Sequence, residues 1–328
     1  MQLHDIQVIR PRYDHVYISP HFDDVVASCG GQILKQKQRN ESILVVTVFS
    51  ARGHHYPDAN SSALKTRLDY DRRRSEDRKV MQQLGIDYLW LEYPEILFRH
   101  QSPWRRYWPT YPATTANQKL CCQVANSLNE IRVRTQCVNM ILPLGIGQHV
   151  DHQIVLRAGL SLQCRKPHLL PVSFYEELPY ALFPFLLIYR LKRTGLWQAM
   201  ALPAIKHRIS NQSINTKTLA QFLISLPSLG MDRKCLHSGL SVLLKGMNIV
   251  AHYFVQPRQA VFGNHPVMAT VEDISQQIDP KLDLISAYSS QLASPRLSRR
   301  NIRKALAAYG MILGLSEGRF GERYWHIQ

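Results

Sequence analysis

The sequence is poor in cysteine, and the cysteines that it has show no pattern. The six residues are Cys29, Cys121, Cys122, Cys137, Cys164 and Cys235, with no CxxC pair and no regular spacing. Disulfide frameworks and structural zinc–thiolate sites both need cysteines at characteristic spacings. We therefore expect reduced thiols in an intracellular protein, and no structural zinc bound by thiolates.

We also expect no secretory signal. The N-terminal stretch MQLHDIQVIRPRYDHVYIS has no apolar region behind a basic start, which is the arrangement that marks a signal peptide. Repeats and low-complexity tracts are absent as well, and the composition, with 45% hydrophobic and 20% charged residues, is that of an ordinary globular protein. We expect a cytoplasmic protein.

Acidic side chains are scarce relative to basic ones. The chain has 24 Asp and Glu against 40 Lys and Arg, a formal net charge of +16. This excess favours nucleic acid, an anionic membrane surface or an anionic substrate as the partner. The charge is spread along the chain without the signature of a nucleic-acid-binding module, so nucleic acid is the least favoured of the three. The segment DRRRSEDRK at residues 71–79 predicts a solvated helix face.

Apolar segments alternate with helix-like ones through the first half of the chain. The predicted strands are HVYISP, SILVVTVFS, DYLWLEY, VNMILPLG and PVSFYEE, and the predicted helices occupy residues 24–39, 71–84, 118–133 and 149–160. Near-continuous apolar strands that alternate with helices predict an α/β fold with a Rossmann-like, mostly parallel sheet and helices on both faces.

The pattern becomes less regular beyond residue 180. Helices are predicted near residues 274–292 and 298–309, and IVAHYFVQPRQAVF predicts strands. At 328 residues the chain is one large domain or two modest ones. We predict a core at residues 1–180, an insertion or lid-like segment at 181–248, and a C-terminal α+β extension at 249–328 that packs on the core.

Ionisable residues cluster after two of the predicted strands. ISPHFDDVVASCGG contains His21, Asp23 and Asp24, and GIGQHVDHQIV contains His149, Asp151 and His152. Because the carboxyl ends of parallel strands face one crevice, we expect the two clusters to converge. Imidazoles and carboxylates suit zinc, whose catalytic sites use three protein ligands and leave one position open.

Simpler interpretations of each cluster remain open. Asp23 or Asp24 is a favourable N-cap for the helix that follows, and HVDH alone is compatible with a helix start that has incidental histidines. The joint placement favours a metal site, because helix caps need no histidine. The stretch GIGQHV has valine where a dinucleotide-binding GxGxxG has its third glycine, and the chain has no GxSxG motif.

The two clusters resemble the signature motifs of the zinc-dependent N-deacetylases of the PIG-L/LmbE type, related to the GlcNAc-phosphatidylinositol deacetylase. FYEELPYA, KLDLISAYSSQ and GERYW agree with that family too, whereas residues 182–248 have no recognisable counterpart. The family's commonest first motif has glutamate where this chain has Val25. That glutamate is not a metal ligand, so the difference marks a subgroup and leaves catalysis in place.

The resemblance implies a role for each clustered residue. It implies Zn²⁺, or another divalent ion such as Fe²⁺, held by His21, Asp24 and His152. Asp23 matches the general base. His149 matches the imidazole that stabilises the oxyanion or protonates the leaving amine, and Asp151 the carboxylate that orients it.

The implied reaction removes the N-acetyl group from an N-acetylhexosaminyl (GlcNAc-type) glycoconjugate, glycolipid or natural product. Two alternatives stay open: an amidase that cleaves a larger N-acyl or thiol-conjugate amide at the same zinc site, and a non-catalytic sugar- or nucleotide-binding domain. Candidate substrate contacts are Glu95, Arg99 and Glu176, each of which is also compatible with an ordinary polar loop residue. Arg73 and Glu76 match a helix pattern of the family, where we expect a structural salt bridge.

One segment bears on membrane contact and on the substrate. LPYALFPFLLIYRLKRTGLWQAMALPAI, residues 178–205, has an apolar core at 181–189, which is shorter than the ~20 residues that span a bilayer. Basic residues and then a tryptophan follow, an order that suits a segment lying in the membrane interface with its apolar side toward solvent. The alternative is a buried core helix followed by a surface turn. Small-molecule and lipid-linked acetamido-sugar substrates, peripheral membrane contact and the oligomeric state all remain open.

Overall fold

The fold was analysed in a computed structural model. It describes residues 1–3, 5–53, 66, 68–99, 115–165, 172–196, 267–292 and 298–327. The strands predicted in IVAHYFVQPRQAVF and residues 197–248 of the predicted insertion lie outside this set. The division of the chain at residues 180 and 248 therefore stays a prediction.

Eight strands and eight α-helices make up the described part of the chain. The strands are β1 (Gln2–Leu3), β2 (His15–Ser19), β3 (Ile43–Thr47), β4 (Asp87–Trp90), β5 (Asn139–Pro143), β6 (Val172–Tyr175), β7 (Val267–Asp273) and β8 (Gly321–Ile327). The helices are α1 (Asp24–Gln38), α2 (Tyr70–Leu84), α3 (Ile96–Arg99), α4 (Thr115–Thr135), α5 (Val150–Arg165), α6 (Pro184–Thr194), α7 (Ile278–Ala287) and α8 (Arg299–Ile312). The predicted α/β fold class is confirmed.

All eight strands belong to one sheet with the order β1-β4-β3-β2-β5-β6-β8-β7. Strands β1 to β6 are parallel, whereas β8 runs antiparallel to both β6 and β7. The interior strands are apolar because both of their faces are covered; all five residues of β3 are buried. The sequence patterns did not predict β1, β7 or β8.

The order of the strands creates a crevice at one place in the sheet. From β2 the chain proceeds to β3 on one side, and it later returns to place β5 against the other side of β2. Ligands of open α/β sheets bind beyond the carboxyl ends of the strands at such a switch point. The two ionisable clusters follow β2 and β5, so the topology brings both of them to this crevice.

Helix α1 is held against the C-terminal part of the chain through its paired glycines. A Cβ atom at Gly31 would lie 2.7 Å from the side chain of Ile274, so only glycine permits this approach. The buried Glu322 carboxylate of β8 accepts hydrogen bonds from the Gly31 N–H (2.8 Å), the Gln32 N–H (2.9 Å) and the Lys281 ammonium (2.7 Å). The last β-strand and α7 thus fix the helix that begins at the first ionisable cluster.

Helix α2 is less solvated than its charge pattern predicts. Its buried residues include Arg73, Glu76 and Asp77, so the expectation of a solvated face is wrong for one side of the helix. The buried Asp77 carboxylate accepts hydrogen bonds from Trp90 Nε1 (2.7 Å) and the Tyr288 hydroxyl (2.8 Å). Burial, together with the nearby charge of Asp23, outweighs these donors and raises the pKa of Asp77 to about 7.

The described part of the proposed membrane-interface segment packs into the fold. Its residues 178–196 include helix α6, which ends at Gly195 in the left-handed conformation (φ 80°). Arg190 is buried and donates a hydrogen bond to the Leu144 carbonyl (2.6 Å), so it is not available to lipid headgroups. Most of these residues are buried, whereas Phe185 and Leu186 are only partly buried. Residues 197–205 lie outside the described set, and membrane contact stays a prediction. Within the described residues, no helix has the length and apolar character needed to cross a membrane.

Candidate active site

Two glycines shape the turn that carries the second cluster. Gly145 (φ 81°) and Gly147 (φ 80°) are both left-handed, on either side of the first residue of a 3-10 turn, Ile146–Gln148. Added Cβ atoms would lie 2.4 Å from Gln153 Nε2 and 2.6 Å from the ring of Tyr180, respectively. The GIG sequence thus serves a tight turn after β5, and α5 begins immediately beyond it at Val150.

The aspartates of the first cluster do not act as simple helix caps. Asp23 occupies the N-cap position of α1, but its side chain makes no capping hydrogen bond. Asp24 Oδ2 accepts hydrogen bonds from the His21 backbone N–H (2.9 Å) and from His21 Nδ1 (3.1 Å), and it lies 3.2 Å from His152 Nε2. The carboxylate of Asp24 therefore joins the two clusters, as a shared metal site requires.

The imidazoles of both clusters meet at this point. The nitrogens of His21, His149 and His152 that face one another all lie within 4.8 Å. His152 Nε2 is buried and has no hydrogen-bond partner among the described residues, since its approach to Asp24 lacks hydrogen-bond geometry. A buried, unpaired imidazole nitrogen next to a carboxylate fits a divalent cation. The predicted metal ligands are His21, Asp24 and His152. They differ from this group of three imidazoles in having Asp24 instead of His149.

The charges around the cluster favour a cation. Burial opposes protonation of His21, but Glu95, Asp151 and Asp24 outweigh it and raise its pKa well above the usual value. His152 is also buried, and Asp24 and Glu177 raise its pKa to about 9. Burial opposes ionisation of Asp24 as well, yet the two imidazoles lower its pKa well below the usual range. Positive charge at these nitrogens is therefore stabilised by the surrounding carboxylates.

His149 differs from the other two histidines. Burial, together with the nearby His21 and His152, lowers its pKa to about 4 despite the opposing charge of Asp151, so the ring is neutral at neutral pH. Its Nδ1 accepts a hydrogen bond from the Asp151 backbone N–H (3.3 Å), which places the ring proton on Nε2. A neutral imidazole with an Nε2–H group is suited to donate a hydrogen bond to a substrate.

The Asp151 carboxylate contacts His21 and is itself held in place by Arg99. The Asp151 carboxylate accepts hydrogen bonds from His21 Nε2 (3.1 Å), the Ile96 backbone N–H (3.0 Å) and Arg99 Nη2 (2.5 Å). These contacts, with Arg99 the strongest, lower the pKa of Asp151 against the effect of burial. The carboxylate thus orients His21, whereas the contact of Asp151 with His149 is made by its backbone N–H. Arg99 also donates to the Pro94 carbonyl (2.8 Å), which gives it a positioning role rather than a place in the cavity lining.

Glu95 lies beside the cluster and lines the cavity. Its carboxylate accepts hydrogen bonds from the Tyr70 hydroxyl (2.6 Å) and from Arg73 Nη1 (2.8 Å), and it lies 3.9 Å from His21 Nε2. Burial opposes its ionisation, but Arg73 and His21 prevail and lower its pKa to about 2. Arg73 therefore pairs with Glu95, whereas Glu76 pairs with Arg72 (3.1 Å). The two residues of the family helix pattern, Arg73 and Glu76, do not form the expected salt bridge with each other.

Glu176, the first of two adjacent glutamates after β6, lies in a buried polar network away from the cavity. Glu176 accepts hydrogen bonds from the Tyr309 hydroxyl (2.6 Å), Arg323 Nε (2.7 Å) and Trp325 Nε1 (2.9 Å). It is buried in this network and is not part of the cavity lining. The candidate substrate contact at Glu176 is thus assigned a structural role.

The functional residue that the sequence analysis missed is Glu177. Its buried carboxylate contacts His152 Nδ1 (3.2 Å) and accepts hydrogen bonds from the backbone N–H groups of Gly145 (2.5 Å) and Ile146 (3.2 Å). A carboxylate on the far nitrogen of a metal-ligating histidine fixes the orientation of the ring. In the predicted strand PVSFYEE, side-chain alternation places Glu176 and Glu177 on opposite faces, but the pattern alone does not tell which of them faces the histidines.

A cavity of about 500 Å³ opens onto the cluster. Its polar end is formed by His21, Asp23, Asp24, Arg73, Glu95 and His149. The side chain of Asp23 faces this space, and burial together with the neighbouring charge of Asp24 raises the pKa of Asp23. A carboxyl group with a raised pKa, beside a candidate cation site and a neutral imidazole, can act as a general base.

The comparison with known families agrees with these motifs. Residues 16–162 match the model of the PIG-L family, described as GlcNAc-PI de-N-acetylase. The resemblance predicted from the sequence is confirmed over this range, which contains both ionisable clusters. A curated relative, 2'-N-acetylparomamine deacetylase of Niallia circulans, is 25% identical over 189 residues; the match covers 50% of this chain and 66% of the relative.

Solved structures match the chain over almost its whole length. A deacetylase of the teicoplanin biosynthesis pathway has a TM-score of 0.61 at 19% identity, with 96% of this chain and 97% of that chain covered. The pseudoaglycone deacetylase Dbv21 has a TM-score of 0.60 at 16% identity, with 97% and 98% covered. A third match, with a TM-score of 0.57 at 18% identity and 96% and 97% covered, is the zinc-inhibited form of teicoplanin deacetylase Orf2. At these identities the matches show only that the chain shares the fold of these proteins.

Proposed function

We propose that this protein is a metal-dependent N-deacetylase that removes the acetyl group from an N-acetylhexosaminyl group of a small glycoconjugate or natural product. The observation that carries the proposal is the meeting of Asp23, Asp24 and the imidazoles of both clusters at the polar end of one cavity. The names of two similar proteins, 2'-N-acetylparomamine deacetylase and A40926 pseudoaglycone deacetylase, support it.

His21, Asp24 and His152 would hold the metal ion, because Asp24 Oδ2 lies within 3.2 Å of a nitrogen of both histidines. Zinc is the ion that we propose, since zinc accepts two imidazoles and a carboxylate at catalytic sites. When bound, a divalent ion polarises a carbonyl oxygen and makes water more acidic. The orphaned nitrogen of His152 and the acidic surroundings of His21 support this ligand set.

The side chains that face the cavity supply the proton transfers. Asp23 takes a proton from the attacking water as the water oxygen bonds to the amide carbon of the substrate. His149, neutral and protonated on Nε2, donates a hydrogen bond to the oxyanion that develops on the carbonyl oxygen, a contact worth about 3 kcal/mol in such sites. The proton held on Asp23 then passes to the amine nitrogen, the carbon–nitrogen bond breaks, and acetate and a free amine leave.

Supporting residues keep these groups in position. Asp151 orients His21, and Glu177 orients His152. Among the candidate substrate contacts, Glu95 is the one that lines the cavity, and we propose that its carboxylate, with Arg73, meets the hydroxyl groups of the sugar. Free cysteines at Cys29, Cys121, Cys122 and Cys137 support the cytoplasm as the proposed location.

The test combines metal analysis with acetate release. The purified protein should contain one divalent ion per chain and release acetate from N-acetylglucosaminides. Asp23→Asn should retain the metal, because Asp23 is not a proposed ligand, but lose at least a hundredfold in turnover because the base is removed. Glu92→Gln, a change at a glutamate paired on the protein surface with Arg74, serves as the matched control and should retain activity. Near-normal turnover of Asp23→Asn, or release of longer acyl groups in place of acetate, would contradict the proposal.

A further inference from the structure

The cavity has a second half whose chemistry the deacetylation reaction does not use. Beyond the polar end, its wall consists of apolar side chains from the segment before α6, from α6, from α7 and from α8. They include Leu182, Phe185, Leu186, Ile285, Ile302 and Leu306. Among the described lining residues, every charged side chain belongs to the polar end.

From this division we propose that the apolar half binds an alkyl aglycone attached to the acetamido sugar. The inference deepens the proposed function and rests on it. An aglycone is bonded to C1 of the sugar, next to the carbon that carries the acetamido group. It therefore lies close to the reacting amide, as the apolar wall lies close to the polar cluster.

The size of the cavity supports an occupant larger than a free sugar. About 500 Å³ falls within the range of about 300–1,000 Å³ that binds drug-sized ligands. A sugar placed against the apolar wall would leave its hydroxyl groups without hydrogen-bond partners, which is unfavourable. An apolar group in the same place loses contact with water and gains packing contacts instead.

The wall is open to a ligand and is not simply part of the protein core. Phe185 and Leu186 on α6 and Ile302 on α8 are only partly buried, although each packs at the edge of the hydrophobic core. All three line the cavity. An occupant in contact with them would complete their burial. Apart from Phe185, the six lining residues named above are aliphatic, which favours a flexible alkyl chain over a planar ring.

The hydrophobic effect gives the expected magnitude. Burial of one methylene group is worth about a fourfold change in affinity, so burial of three methylenes of a hexyl chain predicts a gain of about sixtyfold in kcat/KM. The gain should occur mainly in KM, because the alkyl chain takes no part in the reacting centre and is bound equally in the ground state and the transition state.

The experiment compares three glycosides of N-acetylglucosamine on the metal-loaded enzyme by acetate release. The n-hexyl and phenyl glycosides have six aglycone carbons each, and the methyl glycoside is the reference. We expect the hexyl glycoside to exceed the methyl glycoside at least tenfold in kcat/KM, and the phenyl glycoside to gain less. Equal values for hexyl and methyl would overturn the proposal, and a gain confined to the phenyl glycoside would overturn the alkyl assignment.

Two variants place the effect at the wall. Leu186→Ser on α6 and Ile302→Ser on α8 should each lower the hexyl-to-methyl ratio of kcat/KM at least threefold. Met311→Ser is the control, because Met311 lies on α8 as Ile302 does but is exposed and outside the lining; it should leave the ratio unchanged. A ratio that is unchanged in both wall variants, with wild-type unfolding midpoints, would refute the location.

Failure of this inference is distinguishable from failure of the proposed function. If all three glycosides are deacetylated at similar rates, the N-deacetylase activity stands and the alkyl subsite falls. If none of the glycosides releases acetate from metal-loaded enzyme, both fall together.

Discussion

Replacement of Glu177 by glutamine tests whether a residue outside the signature motifs holds a metal ligand in place. The Glu177 carboxylate is fully buried and contacts His152 Nδ1 at 3.2 Å, the Gly145 N–H at 2.5 Å and the Ile146 N–H at 3.2 Å. Glutamine has almost the same volume, so Glu177→Gln changes the charge and the hydrogen bonding while it creates no cavity.

The size of the effect follows from these three contacts. All three partners donate hydrogen bonds to Glu177, and the amide group of glutamine offers one acceptor oxygen and one donor NH₂. One N–H therefore faces another donor, and the bond to His152 loses its charged acceptor. Loss of such a partner typically weakens metal binding about 10- to 100-fold, which is about 1.4–2.7 kcal/mol.

The adjacent Glu176 provides the matched control. It is equally buried, but its contacts are to Tyr309, Arg323 and Trp325. Glu176→Gln should lower the free energy of unfolding by about 3 kcal/mol, because the buried Arg323 loses its countercharge, and should leave the metal Kd unchanged.

The assay is competition for Zn²⁺ with a chromophoric chelator at neutral pH, with urea unfolding of the apo-proteins alongside. We expect Glu177→Gln to shift the metal Kd more than Glu176→Gln, and the reverse order in unfolding free energy. A wild-type metal Kd in Glu177→Gln, or an equal loss in both variants, would refute the reasoning that Glu177 acts through His152.

Two further predictions concern the ligand set and a buried carboxyl group. Asp24→Asn should weaken metal binding at least as much as His152→Ala, whereas His149→Gln should keep the metal and lose turnover; metal loss in His149→Gln with full retention in Asp24→Asn would reverse the assignment. The folded-state pKa of Asp77, about 7, lies above its unfolded value, so folding binds a proton and stability falls as the pH rises from about 4 to about 7. Asp77→Asn removes this loss, so its unfolding free energy relative to wild type should increase over that interval by up to about 4 kcal/mol. A pH-independent difference between the two proteins would show that Asp77 is ionised throughout.

The sequence by itself determined the class of fold and the place of the site. Apolar strands alternating with helices specify a parallel sheet, because only a sheet covered on both faces buries such strands. In a parallel sheet the residues that follow each strand emerge at the same edge. HFDD after β2 and HVDH after β5 therefore had to lie at one edge, whatever the details of packing. The convergence of His21 and Asp24 with His152 follows from that rule.

The tertiary structure decided which side chains act as partners. Arg73 pairs with Glu95, 22 residues away, rather than with Glu76 on its own helix. The Asp151 carboxylate turns to His21, 130 residues away, and Glu177 rather than Glu176 reaches His152. A period of two along a strand separates the directions of neighbouring side chains, but it does not identify which face meets the cluster.

The sequence pattern could not predict the apolar half of the cavity either. Leu186 comes from a helix about 100 residues before those of Ile285 and Ile302, and each of the three has the amphipathic surroundings of an ordinary core residue. Whether such a residue packs against the core or borders a cavity depends on how closely its helix approaches its neighbours. That distance is set by the packing of the whole fold, for example by the contact of Gly31 with Ile274, and no local segment contains it.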